Sequence, residues 1–276
     1  MNRQELIQSI LDKKSFLCVG LDTAPERLPA HLQNEEHGVL EFNKAIIDAT
    51  RDLCVAYKPN LAFYEAIGPK GWLILEQTIQ YIGPGHLVIA DAKRGDIGNT
   101  SKKYAEAFFN QLHCDAITIA PYMGADSVTP FLGFKDKWVI MLALTSNQGS
   151  ADFQRSTQDQ TDTELFEKVI LKAREWAGPD ELMFVVGATH PEAFRQIRKL
   201  APDNFLLVPG IGAQGGDLEG LCTHGLTPDC GLLVNASRSI LYASSGTDFA
   251  TAARAEALSL QQAMEKQLGQ HQITGK

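Results

Sequence analysis

The chain has 276 residues and a mass of 30.2 kDa, with 44% hydrophobic and 21% charged residues. This composition is typical of a globular protein with a substantial core, and it excludes a disordered or fibrous chain. The formal net charge of -8 and the isoelectric point of about 5.4 disfavour nucleic acid and anionic lipid as partners, so a small-molecule ligand is expected.

The start of the chain and its cysteines predict a cytoplasmic protein. Leu6, Ile7 and Ile10 recur at helical spacing before a charged segment, unlike the continuous apolar core of a signal peptide. No run approaches about eighteen apolar residues, so no membrane span is expected. The five cysteines form no C-x-x-C pair, which predicts buried free thiols in a reducing compartment and disfavours disulfides or a zinc site.

Eight short apolar segments then follow, each rich in strand-forming residues. In chain order they are residues 16–21, 54–57, 87–90, 116–119, 138–144, 182–186, 205–208 and 231–234. They lack period-two alternation, as expected of parallel strands covered on both faces, and helical patterns occupy the gaps. We therefore predict an α/β fold, a single-domain (β/α)8 TIM barrel over residues 1–276 with N-terminal and C-terminal helices, the latter from about 248 to 268. A doubly wound open sheet is the alternative.

Charged residues stand at the ends of the first three strands. Asp22 follows the first, Lys58 the second, and Asp91, Lys93 and Asp96 the third. In a barrel these carboxyl ends meet at one mouth, where active sites of this fold lie. Asp91 and Lys93, two residues apart, are expected to share a face of their strand.

The four residues Lys58, Asp91, Lys93 and Asp96 form a set of two ammonium groups and two carboxylates with no net charge. A neutral set can be partly buried at an acceptable cost, so the pattern favours a functional cluster. The structural alternative is an ion-pair network that only closes the end of the barrel.

Two later segments extend the predicted mouth. Residues 145–163 form the most polar stretch outside the helices, and they predict a functional loop after the fifth strand. Residues 209–217 contain a formal G-x-G-x-x-G after the seventh strand, but no acidic residue closes a second strand about 20 residues later, as a dinucleotide site requires. In a barrel this loop, with Arg238 after the eighth strand, instead predicts a phosphate site.

No metal site is predicted, because the seven histidines show no ligand spacing. Most of these histidines are expected at the surface. The chemistry must then come from the charged side chains themselves.

Six segments, in this order, resemble the orotidine 5'-phosphate decarboxylase family in its longer bacterial form. They are residues 16–22, 57–60, 91–100, 144–147, 209–217 and 235–238. The resemblance spans nearly the whole chain. The D-x-K-x-x-D motif at 91–96 is by itself also found in metal-dependent sugar-phosphate decarboxylases and hexulose-phosphate synthases of the same superfamily.

The resemblance implies a catalytic set and a homodimer. The implied catalytic residues are Lys58, Asp91, Lys93 and Asp96. Asp96 and Thr100 are implied to reach into the site of the neighbouring subunit. The active protein is therefore expected to be a homodimer with shared sites.

The resemblance also implies which residues hold the substrate. The ribose contacts would be Asp22 with Lys58 and Thr100, the pyrimidine contact Ser146, and the phosphate contacts Gly212, Gln214 and Arg238. The implied reaction is cofactor-free loss of CO2 from C6 of orotidine 5'-monophosphate, which gives uridine 5'-monophosphate in de novo pyrimidine biosynthesis.

Two alternatives remain at this stage. A Mg-dependent sugar-phosphate decarboxylase or aldolase-type synthase of the same superfamily would place an acidic metal ligand where this chain has Lys58. A non-catalytic nucleotide-binding barrel would not need all four charged positions, which are intact here.

Overall fold

The computed structural model describes residues 1–157, 162–187, 191–210 and 217–273. Its centre is a closed barrel of eight parallel strands in sequence order, with β1 paired to both β2 and β8. The strands are β1 (Leu17–Leu21), β2 (Ala56–Pro59), β3 (Leu87–Arg94), β4 (Ala116–Ile119), β5 (Trp138–Leu144), β6 (Leu182–Val186), β7 (Leu206–Pro209) and β8 (Leu232–Ala236). The predicted (β/α)8 barrel is confirmed, because closure between β1 and β8 excludes the open sheet.

Helices precede and separate the strands. They are α1 (Arg3–Lys13), α2 (Gly38–Thr50), α3 (Leu61–Glu65), α4 (Pro69–Ile82), α5 (Gly98–Ala105), α6 (Ala125–Val128), α7 (Ser150–Phe153), α8 (Leu165–Arg174), α9 (Pro191–Leu200), α10 (Leu218–Gly225), α11 (Arg238–Leu241) and α12 (Phe249–Gln270). Short 3-10 turns lie at Pro25–Arg27 and Thr129–Phe131, and a π-helical segment at Glu106–Gln111 extends α5. Among the described helices, none is long and apolar enough to cross a membrane.

The strands form because their residues are apolar on both faces. Every residue of β1 and β6 is buried, as parallel strands between a barrel interior and a helical layer require. The helices cover this layer with one apolar face each: α1 buries Leu6, Ile7 and Ile10, and α12 packs against α2. The terminal helices predicted from the sequence are both present.

Four strands extend beyond their predicted ends, and three of the extensions carry polar residues. β2 continues through Lys58, β3 through Asp91 and Lys93, and β8 through Asn235. The apolar pattern stops at the first polar residue, whereas the backbone ladder continues past it. The charged side chains are thus held by strands and are not on loose loops, which makes their positions rigid.

β3 does not run as a regular strand to its end. Ala90 pairs with Ile117 of β4, and Arg94 pairs with Ile119, so three residues of β3 face one residue of β4. Lys93 has a left-handed backbone with φ of 46°. The side chains of Asp91 and Lys93 do meet, as expected, but not through simple alternation, because both residues lie within a β-bulge.

Candidate active site

The carboxyl ends of β1, β2 and β3 bring four charged side chains together. Lys58 Nζ lies 2.7 Å from Asp91 Oδ2 and 4.0 Å from Asp22 Oδ1. Lys93 Nζ lies 2.6 Å from the other Asp91 oxygen, Oδ1. Two ammonium groups and two carboxylates meet in one chain, so the cluster has no net charge.

Lys58 is the buried cation of the cluster, with only 4% of its surface exposed. Burial by itself would lower the pKa of Lys58, but the charges of Asp91 and Asp22 outweigh it, and the pKa is raised. Lys58 therefore stays protonated at neutral pH. It holds Asp91 in place from β2.

Asp91 is the centre of the cluster, and both of its oxygens are occupied. Burial would raise the pKa of Asp91, but the charges of Lys58 and Lys93 outweigh it and lower the pKa to about 2. A third donor, the Thr118 hydroxyl, lies 3.0 Å from Asp91 Oδ1. Asp91 is thus an ionised carboxylate held by three donors.

Lys93 is the exposed cation of the cluster, with half of its side chain accessible. Its Nζ has one carboxylate partner, Asp91, among the described residues. An ammonium group that is anchored on one side and open on the other can meet a ligand in the barrel mouth.

Thr118 on β4 is a member of the site that the sequence analysis missed. Its side chain is 1% exposed, accepts a hydrogen bond from the Lys93 backbone N–H at 2.9 Å, and donates to Asp91. A usable signal was present, since Thr118 is the single hydroxyl in the otherwise apolar segment Ala116–Ile119. A buried hydroxyl costs free energy unless it is hydrogen-bonded, so a threonine in a buried strand indicates a polar partner nearby.

Asp22 follows β1 and lies at the edge of the cluster. Its backbone carbonyl accepts a hydrogen bond of 3.1 Å from the Tyr242 hydroxyl, which in turn accepts one from the Ala24 N–H at 2.9 Å. Tyr242 therefore fastens the loop after β1 to the segment after β8. Asp22 Oδ1 is buried and has no hydrogen-bond partner among the described atoms, while 18% of the side chain is exposed, so the carboxylate is accessible to a ligand hydroxyl.

The interior below the cluster is closed by β1 and β8. Asn235 is buried, accepts a hydrogen bond from the Cys18 thiol at 3.6 Å, and donates to Ser237 Oγ at 3.3 Å. Gly20 is required opposite them, because a Cβ there would collide with the Ser237 hydroxyl. This close approach fixes β8, and with it the position where Arg238 begins α11.

Asp96 and Thr100 lie outside the cluster of the single chain. The Asp96 carboxylate accepts a hydrogen bond from the Ile97 N–H at 2.7 Å, and its backbone carbonyl accepts one from the Ser101 hydroxyl. Thr100 is exposed in the first turn of α5. Within the described part of the chain, neither side chain forms a hydrogen bond or ion pair with Lys58, Asp91 or Lys93.

Of the remaining residues predicted to bind the substrate, the structure describes Ser146 and Arg238. Ser146 is exposed after β5, in a loop that approaches Gly187 at the end of β6 so closely that a Cβ there would meet Ser146. Arg238 is exposed at the first position of α11, and no carboxylate pairs with it among the described residues. Gly212 and Gln214 lie outside the described residues.

A second concave region lies at the opposite end of the barrel. It is a cleft of about 870 Å³ between α1 and the end of α4, lined in part by Lys13, His86 and Asp115. Its charged groups are the Met1 amino group paired with Asp115 and Lys13 beside His86, and it has no counterpart of the carboxylate held between two lysines at the mouth. Across the ranges that the structure describes, no group of three or more acidic, histidine or cysteine residues could hold a metal ion.

Comparisons with known proteins agree with this geometry. The family model described as "Orotidine 5'-phosphate decarboxylase / HUMPS family" matches residues 15–254. A relative from Phocaeicola vulgatus named orotidine 5'-phosphate decarboxylase is 58% identical over 269 residues, which cover 96% of this chain and 98% of the relative. One of the same name from Flavobacterium johnsoniae is 58% identical over 267 residues, 96% of this chain and 97% of the relative.

A solved structure supports the same assignment. The OMP decarboxylase of Leishmania donovani superposes with a TM-score of 0.80 at 35% sequence identity, covering 96% of this chain and 99% of that protein. The match therefore extends over the entire barrel and its flanking helices. Sequence, fold and the arrangement of charges together make this chain a member of the orotidine 5'-phosphate decarboxylase / HUMPS family.

Proposed function

We propose that this protein decarboxylates orotidine 5'-monophosphate to uridine 5'-monophosphate, a step of de novo pyrimidine biosynthesis, without a cofactor. Its close relatives carry the name of this carboxy-lyase over nearly their full length. The observation that carries the proposal is the linked set Lys58, Asp91 and Lys93, in which one ionised carboxylate is held between two ammonium groups at the barrel mouth. A cytoplasmic location stays a prediction from the sequence.

Lys93 is the residue best suited to stabilise the reacting carbon. Decarboxylation breaks the bond between C6 and the carboxyl group, CO2 leaves, and the electron pair remains on C6. A fixed ammonium group stabilises that charge and then supplies the proton that completes the product. Lys93 is charged, anchored by Asp91 and half exposed, whereas Lys58 is almost fully buried.

Asp91 acts on the substrate through its charge. With a pKa of about 2, it is ionised at neutral pH, and the substrate carboxylate next to it would be repelled. Two like charges about 4 Å apart repel by about 4 kcal/mol at an effective dielectric constant of 20. Loss of CO2 relieves this repulsion, so Asp91 favours the transition state over the bound substrate.

The ligand is held by groups around this centre. Asp22 offers a partly exposed carboxylate to the ribose, with Lys58 and Thr100 assisting, and Ser146 is assigned to the pyrimidine ring. The phosphate is assigned to Gly212, Gln214 and Arg238. An exposed guanidinium without a protein carboxylate partner, at the start of α11, suits a phosphate group.

The proposal includes a homodimer in which Asp96 and Thr100 complete the site of the partner subunit. Among the described residues of one chain, the Asp96 carboxylate accepts a single hydrogen bond, from the neighbouring Ile97 N–H. Exposed side chains with large apolar surface lie nearby: Ile97, next to Asp96 in the chain, is 55% exposed, and Met123, which lies against Gly95, is 48% exposed; its neighbour Tyr122 is 90% exposed. Exposed apolar groups beside an incomplete charged site favour coverage by a second copy.

Subunit mixing tests the shared site. Lys93→Ala and Asp96→Asn homodimers should each be nearly inactive, and exchange of their subunits should restore about a quarter of wild-type turnover, because one site in each mixed dimer is intact. Mixing Lys93→Ala with Asp91→Asn is the matched control and should restore no turnover. Lys93 and Asp91 of each site come from the same chain, so every site of the mixed dimer carries one substitution. A fully active monomer, or equal recovery in both mixtures, would refute the shared site.

The metal-dependent alternative is disfavoured by the charge of Lys58. Its ammonium lies 2.7 Å from Asp91, where it would repel a divalent cation from that carboxylate. Activity that EDTA removes and Mg²⁺ restores would support this alternative. Tight binding of uridine 5'-monophosphate with no turnover of any phosphorylated substrate would support the non-catalytic barrel.

The first experiment follows the ultraviolet absorbance of orotidine 5'-monophosphate with purified protein in the presence of EDTA. A rapid change to the spectrum of uridine 5'-monophosphate is expected. No change, with the product still bound by the protein, would overturn the proposed reaction and leave the barrel and its phosphate site.

A further inference from the structure

Thr118 occupies the one position where β3 and β4 lose their regular register. Ala90 pairs with Ile117 and Arg94 with Ile119, so residues 91–93 of β3 lie opposite Thr118 alone. The ladder resumes directly afterwards, where the Ala120 N–H donates to the Arg94 carbonyl at 2.9 Å. The irregularity is therefore confined to the segment that carries Asp91 and Lys93.

A bulge of this kind leaves backbone groups without their ladder partners. The Lys93 N–H is one of them, and it donates to Thr118 Oγ1 at 2.9 Å. The same oxygen donates its proton to Asp91 Oδ1 at 3.0 Å. One hydroxyl thus satisfies the backbone of Lys93 and the carboxylate that Lys93 Nζ contacts.

Burial makes this double contact a strong constraint. Thr118 is 1% exposed, so no bulk water replaces either partner if the hydroxyl is lost. Lys93 is held in a left-handed conformation with φ of 46°, which costs free energy in any residue with a Cβ. Such a conformation persists only where the surroundings determine it.

We propose that Thr118 is a positioning residue for the decarboxylation, because its hydroxyl fixes the bulge that directs Lys93 Nζ onto Asp91 and into the mouth. It acts through Lys93 and Asp91 and does not itself touch the substrate. This inference rests on the proposed function, since it assigns Thr118 a role in that reaction.

The test compares Thr118→Val, which keeps the shape but loses the hydroxyl, with Thr118→Ser, which keeps the hydroxyl. We expect Thr118→Val to lower kcat by about 10²-fold, the effect of displacing a reacting group by about 1 Å, while KM changes by less than about threefold. Thr118→Ser should retain most of kcat. Thr50→Val is the matched control, because Thr50 is also buried but donates to the Ile46 carbonyl within α2.

The outcomes separate a positioning role from a structural one. A wild-type kcat in Thr118→Val, equal losses in Thr118→Val and Thr118→Ser, or the same loss in Thr50→Val would each overturn the proposal. If Thr118→Val does not fold, Thr118→Cys replaces it, since a thiol is a weak donor and acceptor. Wild-type protein without decarboxylase activity would refute the proposed function instead, and every comparison is made against wild-type turnover.

Discussion

The two ends of the barrel both bury charged side chains, but they satisfy those charges differently. At the amino end, Arg198 donates to the backbone carbonyls of Gly225, Ala201, Asn204 and Gly231 at 2.6 to 3.0 Å. At the mouth, two lysines donate to one side-chain carboxylate. A cation bound to backbone carbonyls joins loops, whereas Lys93, which is bound to a carboxylate and half exposed at the mouth, can act on a ligand.

The two ends also differ in whether the shifted pKa values favour the neutral or the charged form of each side chain. Burial lowers the pKa of Arg198 to about 10, and burial with the charge of Lys13 lowers the pKa of His86 to about 4. At the mouth, opposite charges outweigh burial, which raises the pKa of Lys58 and lowers that of Asp91 to about 2. The amino end disfavours charge, while the mouth stabilises it, so the mouth is the end suited to charge-driven chemistry.

The largest expected effect is the loss of turnover in Lys93→Ala. Removing both the electrostatic stabilisation and the proton donor should lower kcat by at least about 10⁴-fold, with little change in the affinity for uridine 5'-monophosphate. Absorbance assays and calorimetric titration with the product measure the two quantities. Lys70→Ala is the control, because Lys70 is an exposed lysine of α4 that lies 3.7 Å from Glu36. Near wild-type turnover in Lys93→Ala would refute its assigned role.

The next effect is one of stability at the amino end. Arg198→Met leaves four backbone carbonyls without their donor and should lower the free energy of unfolding by about 4 kcal/mol. Urea denaturation measures this loss. The folded fraction should keep wild-type kcat, because the contacts of Arg198 lie at the opposite end from the mouth. A loss of kcat without a loss of stability would break the distinction between the two ends.

A pH titration of stability sharpens the same distinction. The folded pKa of His86, about 4, lies below its ordinary value of 6.5, so the unfolded chain binds the proton first. Stability should therefore fall by about 3 kcal/mol as the pH decreases from 6.5 to 4. Asp91 contributes stability that is present above its ordinary pKa of 3.8 and is lost as the pH falls through about 2.

Denaturant midpoints of wild type and His86→Gln, measured across this range, test the assignment. His86→Gln should remove the loss of stability between pH 6.5 and 4. The loss caused by protonation of Asp91, as the pH falls through about 2, should stay unchanged. His271→Gln, at an exposed position, should behave as wild type. An unchanged pH profile in His86→Gln would contradict the role given to this buried ring.

The smallest expected effect concerns substrate capture. Arg238→Ala should raise KM by about 10- to 100-fold through loss of a charge-assisted contact to phosphate, with a smaller change in kcat. Steady-state kinetics measures both. Arg195→Ala, at an exposed position of α9, is the matched arginine control. If KM is unaffected by Arg238→Ala, the phosphate site lies elsewhere.

Much of the architecture was predictable because it depends on local patterns. Uninterrupted apolar segments give buried parallel strands, and the predicted bounds of β4, β5 and β6 agree with the structure. The order of charged residues after the first three strands also placed Asp22, Lys58 and Asp91 at one mouth. His86 shows the limit of this reasoning, because it is buried although most histidines were expected at the surface.

The sequence by itself determined the barrel, the end at which the charges gather and the family, because each follows from residue order and periodicity. Only the tertiary structure decided which oxygen of Asp91 each lysine holds, that Asp22 and not Asp96 completes the neutral cluster of one chain, and that Thr118 closes the bulge in β3. These contacts join residues far apart in the chain. Their geometry depends on the register of neighbouring strands, and a bulge of β3 changes that register without any mark in the hydrophobic pattern.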